Sequence, residues 1–302
     1  MRAFQKKGAG MASITTSDGV RLHVEDTGTG DPIVLVHEFA GDHRSWEPQV
    51  RYFSRRYRCI AYSARGYLPS DVPEDPSMYS HTRVVEDIRD ILDGLSIDKA
   101  HIVGLSMGGF ATLHFGLAHP DRALSLVAAS TGAGSEPDYH DQFKRESLQI
   151  ADLIEEKGME TFAESYGKAA TRLTLREKDP RGFAEFFRYL AEHSALGSIN
   201  TLRGFQATRP SFNDFETQFA KMTIPVLFIV GDEDNHCVKP SLYLKGVIPT
   251  SGLAVLPKSG HTVNLEEPAL FNRFVGDFLT QVEHDRWPAR DMKTAGQLMR
   301  TN

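Results

Sequence analysis

Two cysteines in 302 residues, Cys59 and Cys237, cannot build a disulfide framework, and a reducing compartment, the cytoplasm, is the expected setting. Positive charge is in deficit: the net charge is −6 and no Lys/Arg-rich run occurs, which excludes a nucleic-acid footprint. No apolar run approaches the ~20 residues that cross a bilayer, so no membrane association is expected. The start of the chain, Met1 to Ser13, has Lys6 and Lys7 but no apolar segment of a signal peptide. H-E-x-x-H and paired Cys/His spacings are missing, so no metal is expected. Gly28-Thr29-Gly30 lacks the third glycine and the helix of a dinucleotide fingerprint, so no nicotinamide cofactor is expected. Repeats and low-complexity tracts are absent too.

What is present is a globular composition, 40% hydrophobic and 25% charged, enough for a large core. Ser13–Thr16 and Val20–Asp26 alternate around the turn pair Asp18-Gly19 and predict a hairpin. Ile33–Val36, Tyr57–Tyr62, Ala100–Gly104, Ala123–Ala129, Pro225–Val230 and Leu253–Leu256 are apolar runs that read as buried strands. Helical spacing falls between them over Ser45–Arg55, Thr82–Leu95, Phe110–Ala118, Pro240–Val247 and Pro268–Val282, with Gly94 awkward near the end of the second. Strands alternating with helices imply a mostly parallel twisted sheet covered on both faces. The alternation breaks from Gly132 to Phe219, a stretch of helix formers, arginines and aromatics that reads as an inserted helical lid. The expected organisation is therefore a flexible extension (1–12), an α/β core (13–131 and 220–285), a lid (132–219) and a tail (286–302).

Gly104-Leu105-Ser106-Met107-Gly108 joins the third buried strand to a helix. A serine there, flanked by glycines, sits in a tight strained turn with the free N–H groups of a helix start beside it. The bland alternative is a helix-capping serine. A nucleophilic serine needs a base, and the base needs an orienting group. In a parallel sheet both belong just past the ends of later strands. Gly231-Asp232-Glu233-Asp234 follows one such strand and Ser259-Gly260-His261 another, so the order is serine, acid, histidine.

With these pieces the chain resembles the α/β-hydrolase fold superfamily over residues 13–285. The strand ending at His37, Arg65-Gly66, the Gly104–Gly109 elbow, the Asp234 turn and Ser259-Gly260-His261 carry the resemblance. The Gly-Leu-Ser-Met-Gly-Gly elbow is similar to that of carboxylesterases and 3-oxoadipate enol-lactonases. The resemblance implies Ser106 as nucleophile, His261 as base and Asp234 as acid, with Asp232 and Glu233 as turn or solvated carboxylates. The alternative acid position, after Ala129, holds Ser130-Thr131. Dehalogenases and epoxide hydrolases of this fold carry aspartate at the elbow, and perhydrolases a proline in the loop after the first buried strand; neither occurs here. The oxyanion hole is implied to be the N–H groups of Met107 and Phe39.

Two positions depart from the pattern. The usual His-Gly is His37-Glu38, and the usual Asp before x-Arg-Gly is Ser63. Glu38 is therefore expected to replace the missing acid by bonding Ser63 or Arg65; the alternative is a substrate contact or proton carrier beside the oxyanion hole. His101 and His114 read as packing residues, while His193 and His236 are candidates to face the cleft. Of the lid arginines, Arg172, Arg176, Arg181, Arg188, Arg203 and Arg209, most are expected on solvated faces, and one or two turned inward would favour a carboxylate-bearing acyl group. The expected function is a cofactor-independent serine hydrolase acting on a small ester or lactone. An amidase, an acyltransferase, a ligand-binding member with little turnover and, more remotely, a cofactor-free oxygenase are the alternatives. The expected partner is the small-molecule substrate, and a homodimer is left open.

Overall fold

A computed structural model describes residues 10–293. In chain order, the first half comprises β1 (Gly10–Thr15), β2 (Arg21–Gly28), β3 (Pro32–Val36), α1 (Glu47–Phe53), β4 (Arg58–Tyr62), α2 (His81–Gly94), β5 (Ala100–Leu105), α3 (Met107–Ala118) and β6 (Ala123–Ala129). A helical stretch follows: α4 (Pro137–Tyr166), α5 (Ala170–Lys178), α6 (Pro180–Ala191), α7 (Ala195–Thr201) and α8 (Glu216–Phe219). The chain then returns with β7 (Val226–Gly231), α9 (Asn235–Val247), β8 (Ser251–Leu256), α10 (Val263–Glu266) and α11 (Pro268–Glu283).

The strands form one sheet in the order β1-β2-β4-β3-β5-β6-β7-β8. The β1–β2 and β2–β4 pairs are antiparallel, and every later pair is parallel. This is the α/β-hydrolase arrangement. Strands β5 and β7 are buried along their whole length, which is why they lack alternation in sequence. Helix α2 buries the face Val84, Val85, Ile88, Ile91 and Leu92, and Ser80 caps it by accepting from the Arg83 N–H. Gly94 is explained by packing: a Cβ there would lie 2.7 Å from Ile14 of β1. Helix α3 is buried nearly all round, because the sheet lies on one side and the inserted helices on the other.

Several boundaries differ from the sequence reading. Residues 10–12, expected in the extension, open β1, where Gly10 pairs with Asp26 and Ala12 with Val24. The tail is tied down as far as Arg290: Trp287 Nε1 donates to the Thr250 carbonyl at 2.7 Å and the Arg290 N–H to Pro249 at 2.9 Å. Residues 1–9 and 294–302 of the expected extension and tail lie outside the described residues. Helix α9 begins at Asn235, five residues before the expected Pro240; proline there removes a single helical N–H bond and the helix tolerates it. Between β6 and β7 the described residues contain no strand. Helix α4 is broken at Gly158, whose φ of 80° and ψ of 172° are open only to glycine. No helix among the described residues is long and apolar enough to cross a membrane.

Candidate active site

Ser106 sits between β5 and α3 with φ 55° and ψ −112°, an unfavourable backbone for any residue with a side chain. The turn is held by its N–H donating to Ala129 at 2.8 Å and by Thr131 Oγ1 donating to the Ser106 carbonyl at 2.9 Å. The flanking glycines are sterically required. A Cβ on Gly104 would lie 2.2 Å from the Gly108 carbonyl oxygen, and one on Gly108 would lie 2.1 Å from that of Val36. The helix can therefore start against the end of β3 only with glycine at both places.

The loop after β7 and the loop after β8 bring Asp234 and His261 together. The His261 Nδ1–H donates to Asp234 Oδ2 at 2.7 Å, since a carboxylate can only accept. That leaves Nε2 unprotonated in the neutral ring. Asp234 is 1% exposed. Burial alone would raise its pKa, but the His261 charge and hydrogen bond outweigh it and hold the carboxyl below its usual value. Asp232 accepts from the Ser259 N–H, and Glu233 pairs with the exposed Lys258, so neither reaches His261. Ser106, Asp234 and His261 all line one cavity of about 370 Å³, together with Phe39, Tyr139, Phe143, Glu146, Tyr166, Gln206, Arg209 and His236 among others. The Ser106 hydroxyl makes no hydrogen bond among the described residues; such contacts often close only with substrate bound.

The N–H groups of Phe39 and Met107 have no protein acceptor among the described residues, which leaves both free for an oxyanion. The Phe39 loop is fixed by His37. Its Nδ1–H donates to the Glu38 carbonyl at 2.7 Å, and its Nε2 accepts the Ala64 N–H at 3.0 Å. Burial keeps this ring neutral, with its pKa lowered to about 4. The His261 loop is fixed by Glu266, which accepts from the Gly260 N–H at 2.7 Å and from Thr262 N and Oγ1 at 3.0 Å. Helix α5 also supports it: Thr171 O accepts the His261 N–H at 3.1 Å.

Glu38 does not bond Ser63 or Arg65. Arg65 is already saturated by Asp87 and Asp18, with five contacts between 2.7 and 2.9 Å including one to Met78 O. Ser63 serves His43 and the Leu68 carbonyl. Glu38 turns instead to the lid, where Arg172 grips both its oxygens at 2.9 and 2.5 Å and also donates to Tyr166 Oη at 2.7 Å. Both partners are 1% exposed. Burial opposes ionisation of both groups, yet their mutual attraction holds Glu38 below its usual pKa and Arg172 above its own. Glu38 Oε2 lies 3.9 Å from His261 Nε2. Arg65 thus stands apart from the cavity as a structural hub.

Among the other candidates, His236 lines the cavity and stacks on Tyr139 at 4.6 Å, while His193 is buried against Asp42 at 3.3 Å. His101 bonds Ser125, and His114 stacks on Phe110. Of the lid arginines, only Arg172 and Arg209 are buried. Among the described residues, two groups of side chains come close enough to hold a metal ion: Asp234, Cys237 and His261, committed to the histidine–carboxylate pair, and His23, Glu25 and His43 on the antiparallel side of the sheet.

The sequence profile of the alpha/beta hydrolase fold matches residues 31–268. The chain belongs to this family. It is 30% identical over 283 residues, 90% of this chain and all of the other, to a putative 2-succinyl-6-hydroxy-2,4-cyclohexadiene-1-carboxylate synthase of Bacillus subtilis. It is 27% identical to 3-oxoadipate enol-lactonase 1 of Acinetobacter baylyi, over 89% of this chain and 97% of that one. A malate-bound thermophilic esterase from Thermogutta terrifontis superposes with a TM-score of 0.80 at 25% identity, covering 91% of this chain and 99% of that one. As an α/β hydrolase, the chain is a hydrolytic enzyme by family, with an enol-lactonase among its relatives and an esterase among its structural neighbours.

Proposed function

We propose that the protein is a serine hydrolase that opens a small carboxylic ester or lactone through an acyl-enzyme. The observation that carries this is the His261–Asp234 pair at 2.7 Å, facing the strained Ser106 across one cavity. With Nδ1 protonated and bonded to Asp234, Nε2 takes the Ser106 proton as the hydroxyl attacks the carbonyl. The Phe39 and Met107 N–H groups receive the oxyanion. His261 then protonates the leaving oxygen, and water releases the acyl group by the reverse route. The catalytic residues are Ser106, His261 and Asp234; Glu38 and His37 shape the oxyanion loop.

Intact mass after treatment with a fluorophosphonate tests this. One adduct on the wild type and none on Ser106→Ala supports it; no adduct on folded wild type overturns it. The relative named as a synthase motivates a second reading, in which Ser106 and His261 shuttle a proton without an acyl-enzyme. Trapping an acylated Ser106 with a slow ester substrate decides between them.

A further inference from the structure

Arg209 lies just past the helical turn Leu202–Gln206 that continues from α7, and forms part of the cavity wall that holds Ser106 and His261. It is 7% exposed. Its one hydrogen-bond partner among the described residues is the Ala133 carbonyl, at 2.7 Å from Nη2. The guanidinium lies 4.5 Å from the Phe143 ring and 5.1 Å from the Phe110 ring. A guanidinium carries five N–H donors and no acceptor, so most donors of this cavity-lining group have no protein acceptor among the described residues.

The cavity contains no carboxylate for it. Asp234 is committed to His261, and Glu146 accepts from Tyr139 Oη at 2.6 Å and Gln142 Nε2 at 2.8 Å. The contrast with Arg172 is direct, because that side chain is also buried but its charge is balanced by the Glu38 carboxylate, which it grips through two N–H groups. Burial pushes the Arg209 pKa down to about 10, the mark of a cation taken out of water without a compensating anion. Such a charge is costly to hold, and the aromatic faces offset only part of the cost.

We propose that Arg209 is an anion subsite, and that the substrate is an ester or lactone bearing a second group, a carboxylate, which Arg209 holds while Ser106 faces the carbonyl that reacts. The planar fork binds a carboxylate through two parallel N–H bonds. A carboxylate group fits better than a phosphate group, since the planar fork matches two coplanar oxygens and a second charge on the same group would add to Glu146 and Asp234 in the same cavity. The part played by Ser106 rests on the hydrolase reading; the anion subsite stands without it.

The experiment has a binding arm and a turnover arm. Ser106→Ala is titrated calorimetrically with glutarate and adipate, and with glutaramide and inorganic phosphate as comparisons. The dicarboxylates are expected to bind at least about tenfold more tightly than the other two, and Arg209→Met in the same background to lose about tenfold or more. Absence of dicarboxylate binding, equal binding of phosphate, or binding indifferent to Arg209→Met overturns the subsite. In the turnover arm, the 4-nitrophenyl hemiester of glutaric acid is compared with 4-nitrophenyl pentanoate. The ratio of their kcat/KM values is expected to favour the hemiester and to fall about 100-fold in Arg209→Met, with Arg209→Lys between.

The two readings fail separately. Hydrolysis of neutral esters with no preference for the hemiester overturns the subsite alone. Dicarboxylate binding through Arg209 without hydrolysis of any ester supports the subsite and overturns the hydrolase. Folding is checked by thermal unfolding: removing an unmatched buried charge is expected to leave Tm of Arg209→Met at or above the wild type.

Discussion

Arg172, on the second lid helix, grips both carboxylate oxygens of Glu38, next to the proposed oxyanion donor Phe39. The lid and the Phe39 loop are thereby joined by a dry ion pair, with His261 Nε2 only 3.9 Å from the carboxylate. Other lid–core ion pairs, Arg44–Glu192 and Lys178–Glu267, are partly exposed; this one is buried.

Breaking that pair from one side strands a buried charge. Glu38→Leu and Arg172→Met are each expected to cost about 3–5 kcal/mol of stability, whereas the two together cost far less than the sum. Urea denaturation of the four proteins measures this. Additive losses would show that the pair is not a unit.

Asp234→Asn keeps the shape of the site but removes the anion that fixes the His261 tautomer. The fall in kcat is expected to be about 10⁴-fold with little change in Tm. Steady-state kinetics on a neutral ester checks it, and a drop below about tenfold would remove Asp234 from the mechanism.

Gly260 lies where the His261 loop meets helix α5, and a Cβ there would stand 2.4 Å from both the Thr171 carbonyl oxygen and Thr174 Oγ1. Gly260→Ala must push the lid or the loop aside. The expected result is a loss of about 1–3 kcal/mol with kcat reduced more than KM is raised. An unchanged kcat would mean that the lid does not set the base.

Buried histidines tie stability to pH. Burial lowers His37 and His101 to about 4 and His114 to about 3. Their unfolded pKa is about 6.5, so between there and the folded values the unfolded chain binds more protons. Stability is therefore complete above about pH 6.5 and falls as pH drops towards 4, by up to about 1.4 kcal/mol per pH unit for each ring. Urea midpoints at pH 7, 5.5 and 4.5 measure the slope, and His114→Phe is expected to flatten it.

The parts legible in the sequence were those fixed by short-range patterning. Continuous apolar runs marked the buried strands, and the glycines around Ser106 marked the elbow, because backbone crowding admits nothing else there. Asp234 and His261 were singled out from their places after β7 and β8, and the structure pairs them at 2.7 Å. The partner of Glu38 was not found. Arg172 lies 134 residues away, and an arginine on an amphipathic helix looks the same in sequence whether its fork meets water or a carboxylate. Missing Asp at position 63 suggested a local substitute, but Arg65 had already taken Asp87 and Asp18. The same blindness covered Arg209, whose isolation depends on which carboxylates other helices bring near.

The break at Gly158 divides helix α4 between two tasks. Residues Tyr139, Phe143, Glu146, Ser147 and Ile150, before the break, form cavity wall; Tyr166, after it, also borders the cavity but receives Arg172. Residues before the break can be exchanged to reshape what the enzyme accepts without disturbing the Glu38–Arg172 ion pair. New substrates are thus within reach of few mutations, drawn from a stretch of about twenty residues, while the machinery beneath is inherited whole.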